Sequence, residues 1–353
     1  MRKTKLGLIF GGISTESDLT VWSAQTILKN LDKEKYEVFP IYLGKDRKWY
    51  KYLETQYLDL GDELKNKKEI LNIISYLEDL DIIFPHVCGK GGEDGTIQGL
   101  IQSINKPYVG CGILASCLGL DKAYSKIIFE KAGIKQAKYE YIRKYEDRYY
   151  YIDKNMNQEL LDIDEILFKI KQNLKFPLYV KPSNSGSSFG ITKVFVEENL
   201  KSAIEYASKF DSKILIEEEV KGREVECAVL GNEEVLASGV GEIKYTEDFY
   251  TYSEKFTKTE PNTEVKADLS KELTDKIRAL AIKAFKAIDG KGLSRVDFFI
   301  ENKTNEIYIN EINTMPGFST HSMYPQLFEA SGISFTELLN KIIDLALENH
   351  KNS

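Results

Sequence analysis

Two carboxylates and one amide lie on neighbouring predicted strands in the C-terminal third of the chain. Asp297 lies on one strand, and Glu311 and Asn313 end the next. In an antiparallel pair, opposite residues face the same side, and residues two apart on a strand point the same way. Oxygen donors of this kind suit Mg²⁺, which also keeps waters and accepts phosphate oxygens. The spacing indicates a candidate metal site, although a solvated hairpin face has the same pattern.

A loop rich in Gly and Ser, residues 181–190, separates two further predicted strands. Its N–H and hydroxyl donors could close over phosphate oxygens. It is not a Walker A loop, because the pattern G-x-x-x-x-G-K-[ST] does not occur in the chain. Taken alone, the loop is better explained as a plain polar hairpin.

Two glycine-rich segments in the N-terminal third each follow a predicted strand and precede a predicted helix. They are residues 11–16, which include Glu16, and residues 89–95. The N-terminus of a helix at such a corner favours an anion, for example a substrate carboxylate. Glu16 could hold a substrate ammonium group, and helix capping is the alternative role for this residue.

The elements that would position these residues predict an α/β fold. Apolar runs at 6–10, 38–43 and 82–85 alternate with helical patterns, which indicates an open parallel sheet at the N-terminus. Residues 143–157 are interpreted as a surface connection or hairpin. Residues 245–267 are polar and aperiodic, and a loop of that length is usually functional or disordered.

The composition excludes several classes of protein. The chain has 353 residues and a net charge of −7, and no basic block indicates a nucleic-acid partner. Its four cysteines form no C-x-x-C pair, and three histidines are too few for a typical zinc site, so reduced thiols are expected. No apolar window reaches the length of a membrane helix. We therefore predict a cytoplasmic protein with no membrane partner.

Seven ordered motifs resemble the D-alanine–D-alanine ligase family, and the match runs from about residue 5 to residue 347. The motifs are G-G-I-S-T-E at 11–16, G-E-D-G-T-I-Q-G at 92–99, D-K at 121–122, V-K-P at 180–182, G-S-S at 186–188, R-V-D at 295–297 and N-E-I-N-T-M-P-G at 310–317. The resemblance implies an ATP-grasp fold with three α/β domains at 1–118, 119–218 and 219–353. ATP would lie between the second and third domains, and a homodimer is expected.

The family reaction joins two D-amino acids, with D-alanine and ATP as substrates. The resemblance implies that the first carboxylate attacks the γ-phosphoryl group to give an acyl phosphate. The second amine then attacks the acyl carbon, and phosphate leaves. The dipeptide serves peptidoglycan precursor synthesis. Two Mg²⁺ ions, or Mn²⁺ in their place, would assist.

The resemblance also assigns site residues. The implied ATP contacts are Lys122, Lys181, Ser188, Glu217 and Glu224. The implied metal ligands are Asp297, Glu311 and Asn313. The implied catalytic residues are Glu16, Ser187, Arg295 and Gly317, and the second substrate would meet Lys255, Phe256 and Ser322.

Three residues depart from the family pattern. Cys88 stands where the family has His, with His86 out of phase by two; Phe256 replaces a Tyr, and Thr251 an Asp. Cys88 is interpreted either as an inert packed thiol or as a sign of a different first subsite. Because Phe256 cannot donate a hydrogen bond, a D-lactate or D-serine acceptor is the main alternative function. A nucleotide-binding protein without catalysis, or a ligase for an unrelated amino acid, are further alternatives.

Overall fold

Three β-sheets with helices packed against them make up the described part of the chain. The computed structural model describes residues 2–14, 16–52, 67–186, 189–244 and 263–352. The mixed α/β class that the sequence predicts is confirmed for these residues. The three sheets follow one another along the chain, and loops from all of them meet at the candidate site.

The first sheet has the strand order β4-β3-β2-β1-β5. Its strands are β1 (Thr4–Gly11), β2 (Tyr36–Leu43), β3 (Trp49–Tyr52), β4 (Lys67–Glu69) and β5 (Ile82–Pro85), and its helices are α1 (Ser17–Asn30), α2 (Ile73–Glu78) and α3 (Thr96–Ser103). The predicted parallel sheet is confirmed for β1, β2 and β5. Strands β3 and β4, which the sequence did not predict, extend the sheet with antiparallel pairing. The short connection between β2 and β3 allows a hairpin but not the crossover that a parallel pair needs.

The second sheet is antiparallel and has the order β10-β9-β11-β6-β7-β8. Its strands are β6 (Tyr139–Tyr145), β7 (Arg148–Ile152), β8 (Gln158–Leu161), β9 (Leu178–Pro182), β10 (Thr192–Val194) and β11 (Lys213–Glu218). The neighbouring helices are α4 (Ile113–Leu120), α5 (Lys122–Lys131), α6 (Ile163–Asn173) and α7 (Leu200–Ala207). Of the two interpretations of residues 143–157, a surface connection or a hairpin, the hairpin is confirmed, because β6 and β7 pair directly.

The third sheet has the order β14-β13-β12-β15-β16. Its strands are β12 (Gly222–Gly231), β13 (Val235–Ile243), β14 (Thr263–Glu264), β15 (Gly292–Glu301) and β16 (Ile307–Asn313). The helices are α8 (Lys271–Ala287), α9 (Met323–Ala330) and α10 (Phe335–Lys351). Side chains alternate along β12 and β15, so that Val225, Cys227, Val296 and Phe298 enter the apolar core. The intervening residues therefore face the other side of the sheet, where the candidate site lies.

The first sheet and the C-terminal helices share one apolar core. Leu8 and Phe10 of β1 belong to the same buried cluster as Phe318 and as Leu339 of α10. The backbone N–H of Phe318 also donates to Ser23 Oγ of α1, at 3.1 Å. This packing holds the loop after β16 against the start of α1, and it thereby brings two distant glycine-containing segments together.

All four cysteines are free, as the sequence predicts. Within the described ranges, none of the helices combines the length and the apolar character needed to cross a bilayer.

Candidate active site

The two predicted metal-binding carboxylates lie directly opposite each other. Asp297 of β15 is in register with Glu311 of β16, and Arg295 is in register with Asn313. Asn313 Nδ2 donates to Asp297 Oδ2 at 2.9 Å. The predicted common face is therefore confirmed as geometry, while the metal itself remains a prediction.

Arg295 lies between two buried carboxylates. Its Nε and Nη2 donate to the two oxygens of Asp297 at 2.8 and 2.7 Å, and Nε lies 3.2 Å from Glu226 Oε2. Burial alone lowers the pKa of Arg295, but Asp297 and Glu226 raise it above its ordinary value. Glu226 was not singled out from the sequence. It lies two residues after Glu224, so alternation along β12 could have found it.

Lys122 connects the second sheet with the third. Its Nζ lies 3.0 Å from Glu311 Oε2 and donates to the backbone oxygen of Ser185 at 2.8 Å. Asp121 caps α5 and accepts from Ser183 Oγ at 2.5 Å. The Gly/Ser loop and the start of α5 are thus joined, and Lys122 is directed at the carboxylate face of the third sheet.

Lys181 binds a fully buried carboxylate. Its Nζ lies 2.5 Å from Glu217 Oε2. Burial by itself raises the pKa of Glu217, but the ammonium groups of Lys126 and Lys181 bring it down to about 2. Glu217 is therefore ionised at neutral pH, and its oxygens are directed at lysines. Glu224, at the start of β12, is partly exposed.

Glu16 lies where loops of the first and second sheets meet. A Cβ added at Gly89 or at Gly186 would lie 2.8 Å from Glu16 Oε2. Ser14 Oγ donates to the backbone oxygen of Cys88 at 2.7 Å, which joins the loop after β1 to the loop after β5. The two glycines therefore make room for the carboxylate that the sequence assigned to a substrate ammonium group.

Replacing Gly186 with Ala is expected to raise the KM for the first amino-acid substrate about tenfold, with a smaller effect on kcat. The new methyl group meets the Glu16 carboxylate at 2.8 Å and must displace it, because ordinary contacts are longer. Steady-state kinetics would measure the change. Gly99→Ala on α3 is the matched control, since its Cβ would find no atom closer than 3.9 Å. Equal KM values for the two variants would contradict the prediction.

Glu93 joins the first sheet to the loop after β16. Its Oε2 accepts from the N–H of Gly89 at 2.7 Å, and its Oε1 accepts from the N–H of Met315 at 3.1 Å. Burial, and then the neighbouring Glu16, raise the pKa of Glu93 to about 8. The sequence motif contained Glu93, but its partner is more than 200 positions away, so the bridge could not be predicted.

The loop after β16 brings Gly317 and Ser322 together. A Cβ at Gly317 would lie 2.6 Å from Ser322 Oγ. This hydroxyl accepts from the N–H of Ser319 at 3.0 Å. The glycine is required here because the hydroxyl occupies the space of a side chain. A residue that the resemblance assigned to catalysis and one that it assigned to the second substrate therefore lie side by side.

Cys88 and His86 depart from the family pattern; Cys88 is half-buried and His86 is fully buried, and both are in their ordinary uncharged forms. Burial, together with Glu93 and Glu16, raises the pKa of the Cys88 thiol well above its usual value. This agrees with an inert packed thiol. His86 packs edge-on against Phe84 and Phe318, and neither ring nitrogen has a hydrogen-bond partner among the described residues. Burial lowers the pKa of His86 to about 3.

Replacing His86 with Leu is expected to raise the free energy of unfolding by about 1–2 kcal/mol at pH 7.5, because two unpaired buried nitrogens are removed. The gain should grow at lower pH. Unfolded His binds a proton below about 6.5, whereas folded His86 does so only near 3, so the parent protein loses stability as the pH falls through this window.

Urea unfolding at pH 5 and 7.5 would measure this difference. His321→Leu is the control, since His321 is exposed. A gain that is the same at both pH values would contradict a buried neutral imidazole at position 86.

Four predicted site residues lie outside the residues that the structure describes. They are Ser187, Ser188, Lys255 and Phe256. Thr251 and most of the predicted long loop, residues 245–262, also lie outside the described ranges. The assignments of these residues therefore remain predictions.

The donor set on β15 and β16 suits a hard cation. Within the described ranges, no group of three or more His, Cys, Asp or Glu side chains could hold a metal ion. The predicted set has only two such residues and completes its oxygens with the amide of Asn313. Its carboxylates already attract positive charge, because Asp297 binds Arg295 and Glu311 binds Lys122. This chemistry fits Mg²⁺ or Mn²⁺ better than a softer metal.

Comparison with known proteins identifies the class. The model described as "D-ala D-ala ligase N-terminus" matches residues 5–111, and "D-ala D-ala ligase C-terminus" matches residues 128–344. The D-alanine–D-alanine ligase of Acetivibrio thermocellus is 43% identical over 380 aligned positions, which cover 99% of this chain and 98% of the relative.

Three solved structures that resemble this chain are also ligases that use D-alanine. The D-alanine–D-alanine ligase from Coxiella burnetii has a TM-score of 0.86 and 30% identity, covering 100% of this chain and 96% of its own. The VanG D-Ala:D-Ser ligase from Enterococcus faecalis has a TM-score of 0.85 and 33% sequence identity, and the match covers 98% of this chain and 100% of that chain. The D-alanine–D-alanine ligase from Bacillus anthracis, solved with ATP, has a TM-score of 0.74 and 28% sequence identity, and the match covers 99% of each chain.

The fold and the site define an ATP-dependent ligase with the ATP-grasp fold, as the resemblance implied. More narrowly, the chain belongs to the D-alanine–D-alanine ligase family.

Proposed function

We propose that this ligase forms D-alanyl-D-alanine from two molecules of D-alanine and ATP, for peptidoglycan precursors. The observation that carries the proposal is the cleft in which Lys122 and Arg295 bind carboxylates of the third sheet and Glu16 lies against Gly89 and Gly186. Such a cleft offers an acid for a substrate ammonium and cations for phosphate and carboxylate oxygens. Whole-length similarity to D-alanine–D-alanine ligases supports the choice of substrate.

ATP is proposed to lie between the second and third sheets. Lys122 and Lys181 neutralise its phosphates, and Ser188 covers them from the Gly/Ser loop. Glu224 accepts from the ribose hydroxyls. Glu217 was expected to contact ATP directly, but both of its oxygens are bonded to lysines. We therefore propose that Glu217 contributes through Lys181.

Asp297, Glu311 and Asn313 are proposed to hold two Mg²⁺ ions, for which Mn²⁺ could substitute. When bound, these ions supply positive charge that neutralises phosphate oxygens. Because Lys122 and Arg295 bind the same carboxylates, the chain already places cations where the phosphate would arrive.

The amino acids are proposed to lie between Glu16 and the loop after β16. Glu16 binds the ammonium of the first D-alanine, beside Ser187. Arg295 and the N–H of Gly317 donate to the oxyanion that forms when the second amine attacks the acyl phosphate, where preorganised donors contribute most. Ser322, Lys255 and Phe256 meet the second substrate. By the resemblance, residues 245–267 are proposed to close over the site and to keep water from the acyl phosphate.

A product assay tests the proposal. The protein is incubated with ATP, Mg²⁺ and D-alanine, with and without D-lactate or D-serine, and the products are identified by mass. We expect D-alanyl-D-alanine as the main product in every mixture. A depsipeptide or D-alanyl-D-serine as the main product would overturn the choice of acceptor. The absence of any product would overturn ligase activity on D-alanine.

The alternatives are less well supported. The D-serine acceptor has a solved relative in VanG, but the curated relatives at 39–43% identity are named D-alanine–D-alanine ligase. An inactive nucleotide-binding protein would have no need of the cation and carboxylate set around Arg295. We also propose domain boundaries at 118 and 218, a homodimer and a cytoplasmic location.

A further inference from the structure

Lys126 is a buried lysine close to the proposed ATP site. It lies one turn after Lys122 on α5, and its side chain is 3% exposed. Its Nζ lies 2.5 Å from Glu217 Oε1, while Nζ of Lys181 lies 2.5 Å from Glu217 Oε2. One carboxylate is thus shared by two ammonium groups, which leaves a net charge of +1 in the chain Lys126–Glu217–Lys181.

Lys126 and Lys181 differ in how accessible their ammonium groups are to a ligand. The side chains of Lys122 and Lys181 keep 12% and 11% of their surface exposed, so both remain accessible to a ligand. Lys126 is set further back, where its ammonium lies 5.3 Å from the centre of the Tyr139 ring on β6. Burial lowers the pKa of Lys126, and Glu217 opposes this effect. A lysine so enclosed cannot be a second phosphate ligand.

A buried lysine is costly unless its charge serves a partner. Here the partner is Glu217, and the effect on Lys181 follows from charge sharing. While Lys126 holds one oxygen, Glu217 is already neutralised, and Lys181 can turn part of its charge toward another anion. Without Lys126, the whole carboxylate charge would attract Lys181 alone, at a short distance and away from water.

We propose that Lys126 is a positioning residue which, through Glu217, keeps the ammonium of Lys181 available to the ATP phosphates. The inference rests on the proposed function, because it takes Lys181 as a phosphate ligand. The start of α5 is built to hold this arrangement. Asp121 caps the helix and is bonded to Ser183 Oγ, and four-residue spacing places Lys122 and Lys126 on one helix face.

Replacing Lys126 with Met tests the proposal. We expect the Kd and KM for ATP to rise about tenfold, while the KM for D-alanine changes less than about twofold. Lys126→Arg, which keeps the charge, should recover most of the affinity. Lys131→Met is the control, since Lys131 is exposed on the same helix. ATP binding is measured by calorimetry with Mg²⁺ present, and the KM values by product formation.

A second pair of variants tests the route through Glu217. In a Glu217→Gln background, Lys126→Met should change the Kd for ATP less than about twofold, because the shared carboxylate is gone. This pair leaves no unpaired buried carboxylate, so it remains informative if the single variant does not fold. A tenfold effect that persists in this background would overturn the proposal.

Lys181→Met distinguishes a failure of the positioning role of Lys126 from a failure of the proposed function of Lys181. Weakened ATP binding in Lys181→Met but not in Lys126→Met would overturn the positioning role and leave the proposed function intact. Unchanged ATP binding in Lys181→Met would instead remove Lys181 as a phosphate ligand, and the inference would fall with it.

Discussion

Replacing Glu311 with Gln is expected to lower kcat about a thousandfold while the protein stays folded. Gln keeps the shape of the side chain but loses the charge that a hard cation requires, and metal assistance contributes several kcal/mol to reactions of this kind. Glu311 lies opposite Asp297 and binds Lys122 at 3.0 Å, so the same change also loosens Lys122. Steady-state kinetics over a range of Mg²⁺ concentrations would measure the effect.

Glu306→Gln is the matched control. Glu306 lies just before β16 and pairs with Lys135 at the surface, so its loss should leave kcat unchanged. Higher Mg²⁺ should restore part of the activity of Glu311→Gln, because a weakened ligand set is filled by mass action. Turnover within tenfold of the parent protein would remove Glu311 from the proposed metal ligands.

The carboxylate face shows how far local patterns reach. Alternation along strands is a short-range rule, and the turn between β15 and β16 spans only a few residues. The sequence could therefore predict that Asp297 and Glu311 face the same side. The rule applies equally to β12, where it places Glu226 beside Glu224. Glu226 was missed there because none of the sequence motifs contained it.

Strand β13 and helix α9 show where local patterns fail. Residues 235–243 contain two glycines and one serine, which weaken any strand prediction. The strand exists because it pairs with β12 and lies under α9, where a Cβ at Gly241 would be 2.1 Å from Met323 Cε. Helix α9 has only eight residues and carries Pro325 in its first turn. Tertiary packing, rather than propensity, defines both elements.

The contacts between residues of different sheets could not be predicted from the sequence. Lys122 meets Glu311, and Glu93 meets the N–H of Met315, in each case across more than 180 positions. Which cation meets which carboxylate depends on how the three sheets pack. Sequence motifs named most of these residues as a set, and the structure assigns the partners.

Replacing Arg295 with Met is expected to reduce kcat at least about a hundredfold and to lower the free energy of unfolding by about 3–5 kcal/mol. Arg295 is proposed to donate to the developing oxyanion, and Met cannot do so. The guanidinium also neutralises Asp297 and Glu226, which are in register on β15 and β12 and almost fully buried. Without it, two carboxylates face each other with no cation between them. Urea unfolding and steady-state kinetics would measure the two losses.

Two further variants separate these losses. Arg223→Met removes a similar two-bonded Arg–Glu pair, with Glu242, from the same sheet, so it should cost stability but not kcat. Glu226→Gln added to Arg295→Met removes one of the facing carboxylates, and it should restore part of the stability without restoring turnover. If turnover returned together with stability, Arg295 would act only by holding the carboxylates in place. If turnover stays low in a stable protein, its guanidinium takes part in the reaction, because charge balance at the sheet has then been repaired without it.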